Sequence, residues 1–153
     1  RVQLALNVSN LDEAIGFYSK LFNTAPAKVR DGYANFAVDE PPLKLVLIEG
    51  AGEPGTLNHL GVEVASTDDV IAASARLSGL GLATAEEDQV SCCFAVQDKV
   101  WTDGPDGEPW EIYTVLADAE MPAGQLRQVE PGGDAMCCGP AAEPTAEPAA
   151  GCC

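Results

Sequence analysis

The chain has 153 residues, 46% of them hydrophobic and 21% charged, with 24 acidic against eight basic side chains and a net charge of −16. That length suits one compact domain with an extension, or two small modules sharing a core. The acidic excess, with no run of Lys or Arg, excludes nucleic acid and disfavours an anionic membrane surface as partners.

The first element is an alternating strand, Val2 to Val8, with neither a basic leader nor a long apolar run before it. The longest apolar stretches, such as Leu45 to Ile48, are too short to cross a bilayer. A cytoplasmic protein is expected. Asn10 then caps a helix whose apolar positions Leu11, Ile15, Tyr18 and Phe22 recur at three- and four-residue spacing. Three short strands follow, Ala27–Arg30, Tyr33–Val38 and Leu43–Glu49, separated by Asp31-Gly32 and Pro41-Pro42.

The pattern then repeats. His59-Leu60-Gly61-Val62-Glu63-Val64 lies over Gln3-Leu4-Ala5-Leu6-Asn7-Val8 at an offset of 56. Ser66 or Thr67 caps a second helix carrying Val70, Ile71, Ala75 and Leu77, stopped at Gly79. Strands are predicted over Thr84–Glu87, Phe94–Asp98 and Trp110–Val115, with turn residues crowding Asp103 to Pro109. The fold class is therefore α+β, built from paired β-α-β-β-β modules over about residues 1–50 and 56–117, each too small to bury its sheet alone. Residues 118–153 turn to Ala, Gly, Pro and Glu, with five prolines, six acidic residues and one Arg. Such a segment cannot offset its ordering entropy and reads as a flexible tail.

Three side chains stand out as ligands for a cation. His59 is the only histidine, and Gln3 occupies the matching place in the first module. Glu111 interrupts the apolar strand Trp110-Glu111-Ile112-Tyr113, where a carboxylate is costly to bury unless paired or bound to a cation. The first module carries Lys44 near the corresponding place. The plainer readings are a packed or surface histidine, a solvated Gln3 and a solvated strand face for Glu111. An N/O set of Gln, His and Glu with open positions suits Fe(II), Mn(II), Ni(II) or Zn(II).

All six cysteines come as adjacent pairs, Cys92-Cys93, Cys137-Cys138 and Cys152-Cys153. A bond within such a pair staples nothing, so reduced dithiols that take up something soft are the better reading. Neighbouring side chains in a regular strand point to opposite faces, so Cys92 and Cys93 need a loop or a distorted strand end to act together. The alternative for that pair is two small buried hydrophobes.

The paired modules resemble the vicinal oxygen chelate superfamily, with its cupped mixed sheet. Three stretches, Asn58 to Val64, Cys92 to Trp101 and Gly104 to Glu111, resemble more narrowly the organoarsenical C–As lyases, whose actinobacterial members are also called cadmium-induced proteins. The resemblance implies an Fe(II)- and O2-dependent enzyme that breaks the carbon–arsenic bond of trivalent methyl- or aryl-arsenicals and releases arsenite. It puts Gln3, His59 and Glu111 on the metal positions and Cys92 and Cys93 on the arsenic-binding pair. Ni(II), Co(II) or Zn(II) are other ions for that site. Residues 99–109 are a candidate for a loop closing over it. Cys137, Cys138, Cys152 and Cys153 are candidates for auxiliary capture of arsenic or soft metal. Two modules in one chain complete a site without a partner, so a monomer or homodimer is expected. The rival readings are a non-catalytic cadmium- or arsenite-sequestering stress protein and another enzyme of the superfamily, such as a thiol transferase or an isomerase.

Overall fold

The computed structural model describes residues 1–92 and 94–118; Cys93, the side chain of Cys92 and residues 119–153, with the two tail cysteine pairs, lie outside the described residues. Eight strands and two helices run in the order β1 (Val2–Val8), α1 (Leu11–Phe22), β2 (Lys28–Arg30), β3 (Tyr33–Val38), β4 (Leu43–Glu49), β5 (Leu57–Glu63), α2 (Thr67–Gly79), β6 (Ala85–Cys92), β7 (Ala95–Asp103) and β8 (Pro109–Asp118). Each half is β-α-β-β-β, as the repeat predicts. The helix starts follow from local chemistry: Asn10 accepts from the Glu13 amide and Ser66 from the Asp69 amide, each satisfying a donor that the first helical turn leaves open.

All eight strands form one mixed sheet in the order β2-β3-β4-β1-β5-β8-β7-β6. Within each half the first strand runs parallel to the last, β1 with β4 and β5 with β8. The halves join where β1 and β5 pair antiparallel. The sheet curls into a half-barrel. Its two ends approach each other: the Tyr33 and Phe94 rings lie 5.2 Å apart, and Lys28 Nζ donates to the Phe94 carbonyl at 3.2 Å and to the Asp118 carboxylate. The Lys28 hydrogen bond and charge hold the Asp118 carboxyl below its usual range.

Both helices cover the outer face. Leu11, Ile15, Tyr18 and Phe22 of α1 pack with Leu45, Leu47, Ala34 and Phe36, while Val70 and Ala73 of α2 pack with Val100 and Ile112. The alternate side chains of the same strands line the hollow inner face. Its first half is apolar, with Ala5, Tyr33, Val46, Ile48, Ala51 and Phe94 in one cluster. Among the described residues no helix is long and apolar enough to cross a membrane.

The last three strands run further than the sequence marks them. Only residues 104–108 break the hairpin between β7 and β8, so Lys99 to Asp103 belong to a strand and not to a closing loop. The reason is that polar side chains within β7 are buried with partners: Asp98 accepts from the Thr67 hydroxyl at 2.5 Å and the Gln89 amide at 2.8 Å, and Lys99 meets Glu111.

Candidate functional site

In the middle of the hollow face, three strands carry Gln3, Gly61 and Glu111 in one row, since Gln3 pairs with Gly61 and Gly61 with Glu111. His59, two residues before Gly61 on β5, shares that face. Gln3, His59 and Glu111 are all buried, at 3%, 2% and 3% exposure. Their polar atoms form a tight triangle: Gln3 Nε2 lies 3.0 Å from His59 Nε2 and 2.7 Å from Glu111 Oε1, and His59 Nε2 lies 3.4 Å from Glu111 Oε1.

Neighbours fix each corner. On β5 the register slips between Ala5 and Leu6, and this bulge leaves Asn58 opposite no residue of β1. A bulge re-aims side chains, and here Asn58 Oδ1 reaches His59 Nδ1 at 2.7 Å. Asn58 in turn donates to Asn7, and Asn7 to Thr56, each at 2.9 Å. An acceptor on Nδ1 puts the proton there and turns the Nε2 lone pair toward Gln3 and Glu111. Trp101 meets the imidazole edge to face, with centroids 5.6 Å apart. On Glu111, Lys99 Nζ takes Oε2 at 2.9 Å, so Oε1 is the oxygen presented to the triangle. Gln3 Oε1 accepts from the Tyr113 hydroxyl at 2.6 Å. Burial first, then the Glu111 charge, push the Tyr113 phenol far above its usual range, so that hydroxyl keeps its proton. Lys44 reaches the same face, with Nζ 4.8 Å from the centre of the Tyr113 ring.

Among the described residues no three His, Cys, Asp or Glu side chains come together; the third converging group is the Gln3 amide. The triangle's edges match one face of a coordination octahedron, about 3 Å for bonds of about 2.1 Å. One imidazole, one carboxylate and one amide carbonyl are donors that borderline and hard divalent metals accept. The residues therefore fit such an ion, provided the Gln3 oxygen faces inward.

The close spacing depends on Gly61. A Cβ there would lie 3.2 Å from Gln3 Cβ, Glu111 Cγ and Tyr113 Cε1. Gly61→Ala forces those neighbours apart, and overpacking of this kind typically costs about 1–3 kcal/mol. Competitive titration should show divalent-metal affinity reduced about tenfold, the equivalent of about 1.4 kcal/mol. Unchanged affinity would show that the three corners do not act together.

Of the cysteines, Cys92 ends β6 and pairs with Ala95. Phe94, with φ of 63°, lies in the left-handed region and packs into the inner-face cluster against Tyr33. The chain thus reverses at the rim of the hollow that holds the triangle. Sequence reasoning did not single out Asn58, Lys99 or Tyr113 as parts of this site. Tyr113 was accessible through simple alternation from Glu111, and Lys99 through its place in the same kind of strand.

The Glyoxalase/Bleomycin resistance protein/Dioxygenase superfamily matches residues 2–112. A "Trivalent organoarsenical cleaving enzyme" of Thermomonospora curvata is 58% identical over 156 aligned positions, covering 100% of this chain and 99% of that protein. A "Cadmium-induced protein" of Mycobacterium tuberculosis is 59% identical over 140 positions, 90% of this chain and 92% of the relative. Among solved structures, an extradiol ring-cleaving dioxygenase from B. fuscum shares the fold with a TM-score of 0.56 and 20% identity, over 82% of this chain and 37% of its own.

Proposed function

Because the chain belongs to the Glyoxalase/Bleomycin resistance protein/Dioxygenase superfamily, we propose that its inner-face triangle serves carbon–arsenic bond cleavage. The substrate is a trivalent methyl- or aryl-arsenical, the product is arsenite, Fe(II) is the metal and O2 the co-substrate. One observation carries the reading: Gln3, His59 and Glu111 converge, buried and oriented, beside an apolar hollow rimmed by the strand that ends in Cys92. The relative named for cleaving trivalent organoarsenicals supports it across the full chain.

The roles follow from the chemistry of each group. Cys92 and Cys93 hold arsenic through soft thiolate bonds, leaving its third bond to carbon. Ala5, Val46, Ile48, Tyr33 and Phe94 offer the organic substituent a dry wall and keep water from the reacting centre. Gln3, His59 and Glu111 hold the metal, with Asn58 and Lys99 fixing the imidazole and carboxylate. Bound there, Fe(II) supplies the electron chemistry that lets O2 react with a closed-shell carbon–arsenic bond. The tail pairs Cys137-Cys138 and Cys152-Cys153 collect arsenic for delivery or retain the arsenite released. The test is formation of inorganic arsenite from methylarsenous acid that requires both Fe(II) and O2. Tight arsenical binding without arsenite would instead mark a sequestering protein.

A further inference from the structure

The Gln3 amide faces the triangle with the wrong atom for a ligand. Its nitrogen lies 3.0 Å from His59 Nε2 and 2.7 Å from Glu111 Oε1, while its oxygen accepts from the Tyr113 hydroxyl at 2.6 Å. Hard and borderline cations bind amides through oxygen. Coordination by Gln3 therefore requires the opposite orientation.

The arrangement follows from the partners' chemistry. A carboxylate and the bare nitrogen of a neutral imidazole only accept hydrogen bonds. Facing them, an NH2 group satisfies both, whereas a carbonyl oxygen would be repelled. A divalent cation between the three corners inverts that preference, because the carbonyl oxygen is then attracted and the NH2 group is not. The terminal torsion of glutamine is broad and roughly two-fold, so oxygen and nitrogen exchange places with little displacement of the chain. Few side chains could serve both orientations from the outer side. A tyrosine hydroxyl can, because it donates to an oxygen or accepts from an N–H. Tyr113 is fully buried, and an ordinary tyrosine hydroxyl has both capacities.

We propose that Gln3 is a two-orientation ligand: its amide presents nitrogen to His59 and Glu111 until a divalent cation enters, then turns over to present oxygen, while the Tyr113 hydroxyl changes from donor to acceptor. Tyr113 is thus a positioning residue for the metal site. The inference rests on the metal site proposed above and adds to it a step that every loading event must include. It also sets an expectation for affinity. The hydrogen bond between Tyr113 and Gln3 is present in both orientations with its direction reversed, so its removal weakens the empty and loaded states alike.

The test uses the whole chain with 15N-labelled glutamine side chains and Zn(II) as a diamagnetic probe. In metal-free protein the Gln3 NH2 protons should show nuclear Overhauser contacts to the His59 ring. On addition of one equivalent of Zn(II) those contacts should be lost and replaced by contacts to the Tyr113 ring. Zn(II) should bind Tyr113→Phe within about threefold of wild type, because the hydrogen bond removed is common to both states. NH2 contacts to Tyr113 from the start, or contacts to His59 that persist while Zn(II) shifts the His59 signals, overturn the inference and leave the metal site standing. A larger change of affinity in Tyr113→Phe, in either direction, shows a hydroxyl that serves one orientation only and overturns the part given to Tyr113. His59 signals that ignore Zn(II) remove the metal site and this inference with it.

Discussion

Replacing Cys92 or Cys93 by serine should reduce arsenite release from methylarsenous acid at least about a thousandfold while leaving divalent-metal affinity intact. The magnitude comes from positioning, since holding two reactants in register is worth up to about 7–11 kcal/mol. Serine preserves the shape of cysteine but offers arsenic a hard hydroxyl in place of a soft thiolate. The backbone of Cys92 pairs with Ala95 at the end of β6, and Phe94 anchors the reversal into the inner-face cluster. The residues proposed to hold the metal, Gln3, His59 and Glu111, lie on β1, β5 and β8. Parallel assays of arsenite formation and metal titration separate the two effects. A serine variant with normal turnover would remove the thiolates from the account.

Lys99→Met should lower stability by about 3–5 kcal/mol in the absence of added metal, because it leaves the buried Glu111 carboxylate without its ammonium partner. The Lys99 side chain has no solvent exposure and that of Glu111 only 4%, with 2.9 Å between Nζ and Oε2. For a domain of this size the loss corresponds to a Tm lower by about 10–20 °C. The double variant Lys99→Met/Glu111→Leu should recover most of it, since an apolar replacement of both partners leaves no charge to desolvate. The same pair predicts a linked effect. A cation at the proposed site can stand in for the lost ammonium as the partner of Glu111, so Lys99→Met should regain stability on loading with Zn(II). Thermal melts with and without Zn(II) check both statements. A Lys99→Met chain as stable as wild type would mean that the pair does not carry the Glu111 charge.

The architecture was legible where local chemistry and periodicity agree. Asn10 and Ser66 mark helix starts, the spacing of Leu11, Ile15, Tyr18 and Phe22 gives one buried stripe, and the repeat at an offset of 56 relates the two halves. What the sequence hid has one physical cause, which is that buried polar groups look like surface ones until their partners are known. Asp98 reads as the end of a strand and Lys99 as the start of a loop, yet both are buried well within β7. The site was legible as a set of candidates and not as a geometry. The offset sets Gln3 over His59, whereas the strands pair Gln3 with Gly61, because antiparallel register is fixed between strands and not along the chain. The bulge that turns Asn58 toward the imidazole has no signature in hydrophobic alternation. The Tyr113 contact with Gln3 spans 110 residues and appears only once β1, β5 and β8 are side by side.

If one buried Gln3–His59–Glu111 site and the Cys92-Cys93 pair together cleave carbon–arsenic bonds, cleavage requires the metal and O2 at the same time. The most direct measurement loads the protein with Fe(II) under anaerobic conditions, adds methylarsenous acid, and then admits O2 while inorganic arsenite is quantified. No arsenite should form before O2 is admitted, arsenite should appear in step with O2 consumed afterwards, and none should form in His59→Ala. Arsenite formed without Fe(II) or without O2, or bound arsenical that never yields arsenite, would contradict this reading.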